Sequence, residues 1–215
     1  MRAPSPHIGF RFVTGGWQAS VLQTLEDRHL VAWSSSARQR TEFAAGLTQF
    51  LATQPGLALC VLQGRAITTL DALCQQLERQ IPGPPLDRRI GGTRGLTALL
   101  REHSPLPGRP APRQRVILWN DADILLRADE ELFGRVADVI SGTAAEMEFA
   151  SDDHLLVQRG VYVGGPMLEA YASDPRGQFQ RWHSTGDDEA FWAIVSGLDR
   201  PPMAREPIER ILGRR

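Results

Sequence analysis

The chain reads as an α/β protein, a three-layer sandwich built on a mainly parallel sheet. Continuous apolar runs of strand length recur along its 215 residues, as expected for strands covered on both faces. Amphipathic helical patterns alternate with these runs, and strands that alternate with helices pair in parallel with helices on both sides. A hydrophobic content of 42% and a charged content of 23% suit a globular chain whose core needs neither disulfides nor metals.

The elements follow in order. Phe10-Arg11-Phe12-Val13 reads as an edge strand and 18–26 as a short helix, together an N-terminal extension over 1–27. His29-Leu30-Val31-Ala32-Trp33 is a buried strand, and Ser34-Ser35-Ser36 is the turn after it. A helix is predicted over 38–53, with Phe43, Leu47, Phe50 and Leu51 on one face and Gln54-Pro55-Gly56 as its stop. Leu57-Ala58-Leu59-Cys60-Val61-Leu62 is the next strand. Thr68 or Thr69 caps a helix over 70–81 with the stripe Leu70, Leu73, Cys74 and Leu77, ended by Pro82-Gly83-Pro84-Pro85. A short helix over 95–101 and a proline- and arginine-rich connection over 104–114 lead to the strand Val116-Ile117-Leu118-Trp119.

A long helix over 128–149 then places Leu132, Phe133, Val136, Ile140, Ala144 and Met147 on one face. Leu155-Leu156-Val157 and Val161-Tyr162-Val163 form one strand or two short ones. The α/β domain is expected over 28–165. A helical and irregular segment over 166–215 packs on it, with helices over 166–172 and 187–196.

Composition excludes several chemistries. The sequence has no lysine: all 24 basic residues are arginine. Schiff-base catalysis, a lysine general base and a phosphate-binding lysine are therefore ruled out. Cys60 and Cys74 sit in apolar contexts and read as small buried hydrophobes. None of the five histidines pairs at metal-ligand spacing, and no Gly-x-Ser-x-Gly elbow occurs. A net charge of −1 gives no general attraction to nucleic acid or anionic membrane. No apolar run reaches the roughly 18 residues that span a bilayer. Residues 1–16 contain no apolar core of signal-peptide length, so the expected location is cytoplasmic.

In parallel α/β sheets, ligands bind beyond the C-terminal ends of the strands. That directs attention to 34–41, 64–69, 120–123 and Gly164-Gly165. The strongest feature is Asn120-Asp121-Ala122-Asp123, which leaves a buried strand. Its two carboxylates either share a divalent cation through hard oxygen ligands or cap the following turn. Asp129 is the better N-terminal residue for the long helix.

The order strand, loop, helix, strand, helix, acidic strand, long helix, strand resembles the P-loop NTPase fold, in particular its AAA-like branch, over about 28–165. In that family a strand often ends in Asp-Glu-Ala-Asp. Asn120 falls at the metal-linked Asp position and Asp121 at the water-activating Glu position. Asn is a neutral ligand, and Asp is one methylene shorter than Glu. The phosphate loop of Gly, four residues, Gly, Lys, Ser or Thr falls on Ser34-Ser35-Ser36-Ala37-Arg38-Gln39-Arg40-Thr41. Ser34 and Gln39 replace its glycines, and only Arg40-Thr41 keeps a likeness to its ending. The resemblance implies a degenerate, non-hydrolytic domain acting by ligand or partner binding, a protein partner foremost. Ser36, Arg40, Thr41, Asn120 and Asp121 are then the candidates for weak nucleotide binding with Mg, and Asp121 and Asp123 those for the metal. It also places the acidic strand beside the strand that feeds 34–41.

Two other resemblances remain open. Asp121-Ala122-Asp123 is similar to the Asp-x-Asp signature of GT-A glycosyltransferases, which implies Mn on a nucleotide-sugar diphosphate. Gly186-Asp187-Asp188-Glu189-Ala190-Phe191-Trp192 is similar to a later helix start in some of these enzymes. Cys60 to Leu77, with Gly64 and Thr68-Thr69-Leu70-Asp71-Ala72-Leu73, is similar to the opening of barstar-like inhibitors, which implies a protein-interaction module. Arg88, Arg89 and Arg94 around Gly91-Gly92 form a basic loop. Tyr171, Phe179, Trp182, Phe191 and Trp192 either pack the C-terminal segment or form an interface.

Overall fold

In a computed structural model, the described residues are 17–27, 29–81, 92–102, 112–149, 157–173 and 192–195. Five strands pair in parallel: β1 His29–Trp33, β2 Leu57–Gln63, β3 Gln114–Asn120, β4 Val157–Gly164 and β5 Trp192–Val195. Their order across the sheet is β2-β3-β4-β1-β5. Helices α1 Trp17–Asp27 and α2 Ala37–Ala52 supply one outer layer. The other holds α3 Leu70–Glu78, α4 Thr93–Arg101, α5 Asp123–Ala128, α6 Glu130–Phe149 and α7 Pro166–Ser173.

Strand alternation divides the core between these layers. Ile117, Trp119 and Tyr162 face one cluster with Leu73, Leu96, Phe133 and Ile140. Val116, Leu118, Val161 and Val163 face the other with Val21, Leu25, Phe43, Leu47 and Leu51. The apolar runs are apolar throughout because both faces of the sheet are covered. Trp119, Phe133 and Tyr162 stack at tilted and edge-to-face angles, with centroids 5.4 to 6.2 Å apart.

Helix boundaries follow local capping chemistry. Ser36 caps α2 by accepting from the Gln39 N–H, and Thr69 caps α3 by accepting from the Ala72 N–H. The Asp129 carboxylate accepts from the Leu132 N–H at 2.8 Å and starts α6, so the predicted helix over 128–149 is broken just inside its start. The residues before Asp129 form the separate short helix α5. Met147 lies on α6, but its side chain is outside those described. Cys60 is buried and Cys74 half-buried, both free thiols. Burial pushes both up to about 11, with the Asp71 and Glu78 charges adding to the effect at Cys74.

Three expectations change. The acidic strand β3 does not adjoin β1, because β4 lies between them and pairs with both. All of β4 beyond Val157 is buried, so the strand with least tolerance for water takes the centre. The helix expected over 187–196 contains a strand instead: Trp192-Ala193-Ile194-Val195 pairs with His29-Leu30-Val31-Ala32. An apolar, partly β-branched run beside an open strand satisfies that strand's backbone in a way a helix cannot. The two readings of the final strand resolve to one, Val157–Gly164. The proposed strand Phe10-Arg11-Phe12-Val13, residues Leu155, Leu156, Arg88, Arg89 and Gly91, and the aromatics Phe179, Trp182 and Phe191 lie outside the described residues.

At the N-terminal edge of the sheet, two buried arginines hold helix ends. Arg115 donates to the carbonyls of Leu100, at 2.8 Å, and Glu102, at the end of α4. Arg159 donates to the Glu26 carbonyl of α1 at 2.7 Å. Cations favour helix C-termini, where carbonyls lack intrahelical partners. Beside them, buried His29 accepts the Gly160 N–H on Nδ1 at 2.8 Å. Burial, and secondarily the Arg159 charge, hold the imidazole well below its ordinary pKa.

Candidate functional site

Parallel pairing brings the turns after β1, β2, β3 and β4 to one edge of the sheet, where Ser36, Arg40, Thr41, Asn120, Asp121 and Asp123 lie. The turn after β1 is three residues long, from Ser34 to the N-cap Ser36. The Ser34 N–H donates to the Gly164 carbonyl at 3.1 Å, continuing the β1–β4 ladder. The Ser36 N–H donates to Ser34 Oγ at 2.9 Å, and the Gln39 N–H to Ser36 Oγ at 3.3 Å. The amides of Ser34, Ser36 and Gln39 are thus bonded within the turn and the sheet.

Arg40 turns back over the same turn. Its Nη1 donates to the Ser34 carbonyl at 2.6 Å and to the Ser35 carbonyl at 3.2 Å. Its Nε is buried without a partner. The guanidinium therefore spends Nη1 on carbonyl oxygens, a donor that a phosphate oxygen would have to compete for. Thr41 is exposed and donates Oγ1 to the Ala37 carbonyl at 3.0 Å, so its hydroxyl serves its own helix. The aligned Arg40-Thr41 pair thus stands in the right element with both side chains engaged elsewhere.

At the end of β3, Asn120 is half-buried, and its Oδ1 is a buried acceptor without a partner. Asp121 has φ of 49°, in the left-handed region that Asp tolerates better than most residues. This reversal sends its carboxylate outward, where Oδ2 accepts from Arg65 Nε at 2.8 Å. The Ala122 N–H then donates to the Val163 carbonyl at 2.9 Å. Asp123 opens α5, is 3% exposed, and has Oδ2 3.4 Å from Arg127 Nη2.

Two close approaches fix this corner. A Cβ on Gly64 would lie 2.3 Å from the Asp121 carbonyl oxygen and 2.4 Å from that of Asn120. The end of β2 passes directly against the acidic turn, and only glycine permits it. A Cβ on Gly164 would lie 2.9 Å from Asp123 Oδ1, and one on Gly165 would lie 3.0 Å from Asp123 Oδ2 and 3.9 Å from Arg40 Nη1. The bare Gly164-Gly165 backbone makes room for the Asp123 carboxylate.

The structure therefore regroups the candidates. It gathers Arg40, Asp123 and Gly165, and it directs the Asp121 and Asp123 carboxylates to different arginines. Arg65 and Arg127 were not singled out from sequence. Arg127 carried a signal, its i+4 spacing from Asp123. Arg65 carried none, because 56 residues separate it from Asp121. Among the described residues, no group of three or more His, Cys, Asp or Glu side chains could hold a metal ion.

No family model matches the chain, and no curated protein matches it at a significant level. Among solved structures it is similar to the Aeropyrum pernix ORC2 protein, described in ADPNP–ADP complexes, with a TM-score of 0.52 at 14% identity. The likeness covers 89% of this chain and 49% of that one, so the chain spans about half the length of that protein. The shared fold is P-loop NTPase-like. Among the described residues, no helix is long and apolar enough to cross a membrane.

Proposed function

We propose that this chain is a degenerate, non-hydrolytic ATPase-like domain that acts through ligand or partner binding. The observation that carries this reading is the turn after β1. Its amides at Ser34 and Ser36 already donate to Gly164 and Ser34 Oγ, and Arg40 spans its carbonyls. A triphosphate entering there would have to displace Arg40 and break the Ser34–Ser36 contacts, while meeting side chains where the family has glycines.

The residues fit nucleotide with Mg poorly for a second reason. The Ser36, Thr41 and Asp121 oxygens each already engage a protein group: the Gln39 N–H, the Ala37 carbonyl and Arg65. With the Ser34, Ser36 and Gln39 amides and the Asp121 carboxylate already engaged, binding is the role this reading gives the edge. The manganese reading asks Asp121 and Asp123 to face one ion, whereas each is paired with a different arginine.

Calorimetric titration of the purified protein with ATP and Mg, alongside a phosphate-release assay, tests the proposal. The expected result is no micromolar binding and no turnover. Micromolar affinity with robust turnover overturns it. Thermal shift with Mn and UDP- or GDP-sugars covers the transferase reading, and the expected shift is nil.

A further inference from the structure

The outer edge of β2 is one of the two ends of the sheet. A parallel edge strand normally leaves a row of N–H and C=O groups open to another strand. Here two glutamine side chains fill the C-terminal half of that row, at Val61 and Gln63. Gln80 Oε1 accepts the Val61 N–H at 2.7 Å, and its Nε2 donates to the Val61 carbonyl at 3.0 Å. Gln76 Oε1 accepts the Gln63 N–H at 2.8 Å, and its Nε2 donates to the Gln63 carbonyl at 3.3 Å. Each primary amide makes the two-bond pairing that a residue of a neighbouring strand would make.

The spacing explains why one helix can do this. Val61 and Gln63 are two residues apart on a strand, a rise of roughly 6.6 Å. Gln76 and Gln80 are four apart along α3 and its final turn, a rise of about 6 Å. The helix repeat therefore delivers an amide to two successive outward-facing positions of the strand, Val61 and Gln63. The second amide is braced further: Gln80 Nε2 also donates to the Gln76 carbonyl at 3.0 Å, and the Gln80 N–H donates to the Leu77 carbonyl at 2.9 Å.

These bonds do not serve to satisfy buried groups. All four strand contacts are exposed, so water could replace them at small cost. Their distinct effect is to occupy the template. We propose that Gln76 and Gln80 act as a side-chain strand that closes the Val61–Gln63 stretch of the β2 edge against pairing with a second copy of this chain. Edge-to-edge pairing of identical β2 strands is self-complementary about a two-fold axis, which makes another copy the first competitor for an opened edge. The proposal is independent of the functional reading above.

The test uses the full chain carrying Gln76→Ala and Gln80→Ala, with Gln75→Ala as control, since Gln75 is exposed on the same helix. Amide hydrogen exchange at low concentration should accelerate roughly tenfold at Val61 and Gln63, as expected for loss of one hydrogen bond each. Sedimentation over a concentration series should show a dimer for the double variant only, with protection returning at Val61 and Gln63 as it forms. Unchanged exchange, a variant that stays monomeric, or a dimer without renewed β2 protection each overturns the proposal. If the double variant does not fold, Gln80→Ala alone decides: faster exchange at Val61 with Gln63 unchanged supports the clamp, and any other pattern overturns it.

Discussion

The two ends of the sheet use the same chemical device for different purposes. At the N-terminal edge, Arg115 and Arg159 are each 2% exposed and donate to the terminal carbonyls of α4 and α1. At the C-terminal edge, half-buried Arg40 donates to the carbonyls of Ser34 and Ser35. Guanidinium to backbone carbonyl is common to both, and burial separates them. The Arg115–Leu100 contact is buried, so that carbonyl has no water to turn to on losing its donor, while the Arg40–Ser35 contact is exposed and does. The N-terminal edge is therefore structural, and the C-terminal edge is where side chains can be exchanged without loss of the fold.

Four measurements break or sharpen that contrast. The largest effect is expected at the tightest backbone approach of the C-terminal edge. Gly64→Ala drives a Cβ into the backbone of the acidic turn and should cost about 3 kcal/mol or more in denaturant unfolding. A cost below about 1 kcal/mol would mean that the turn yields and that the edge is softer than its packing implies.

Next comes the direct comparison of arginines. Arg115→Met keeps volume but strands the Leu100 and Glu102 carbonyls, for a loss of about 2–4 kcal/mol. Arg40→Ala should cost about 1 kcal/mol or less. Equal costs would abolish the distinction between the two ends.

Acid should act on the N-terminal edge through His29. The folded His29 pKa lies below the ordinary 6.5, so the unfolded chain binds the extra proton first. The stability that His29 contributes is complete above pH 6.5 and falls away as pH drops below it, by at most about 1.4 kcal/mol per pH unit. His29→Gln keeps an acceptor for the Gly160 N–H and removes the titration. Its unfolding midpoint should lose that acid-side slope, and an unchanged slope would place its origin elsewhere. The smallest effect is expected for Arg65→Ala, which removes a rim ion pair with a 73%-exposed arginine side chain, at about 0.5 kcal/mol or less by the same unfolding assay.

The legible parts of the molecule are those set within a few residues. Ser36, Thr69 and Asp129 act as helix starts because a hydroxyl or carboxylate reaches an amide three residues on, whatever the rest of the fold does. The run from Val116 to Trp119 is buried on both faces, as its unbroken hydrophobicity requires. The candidate site was legible by place and not by partner. Residues 34–41, 64–69, 120–123 and Gly164-Gly165 do share an edge, yet pattern alone put Asp121 with Asp123. The positive φ of Asp121 and the approach of Gly64 send one carboxylate to Arg65 and leave the other against Gly164-Gly165.

Composition and periodicity by themselves determined the α/β class, most element positions, the absence of every lysine-dependent chemistry, and the edge where a site belongs. Only the tertiary structure decided that β4 separates β3 from β1, that Trp192–Val195 is a strand, and that Arg40 lies across its own turn. The physical reason is the range of the forces. Caps and periodicity act over three or four residues and are written locally. Strand order and side-chain pairing are settled by which surfaces lose most water together, and those surfaces come from residues far apart in the chain.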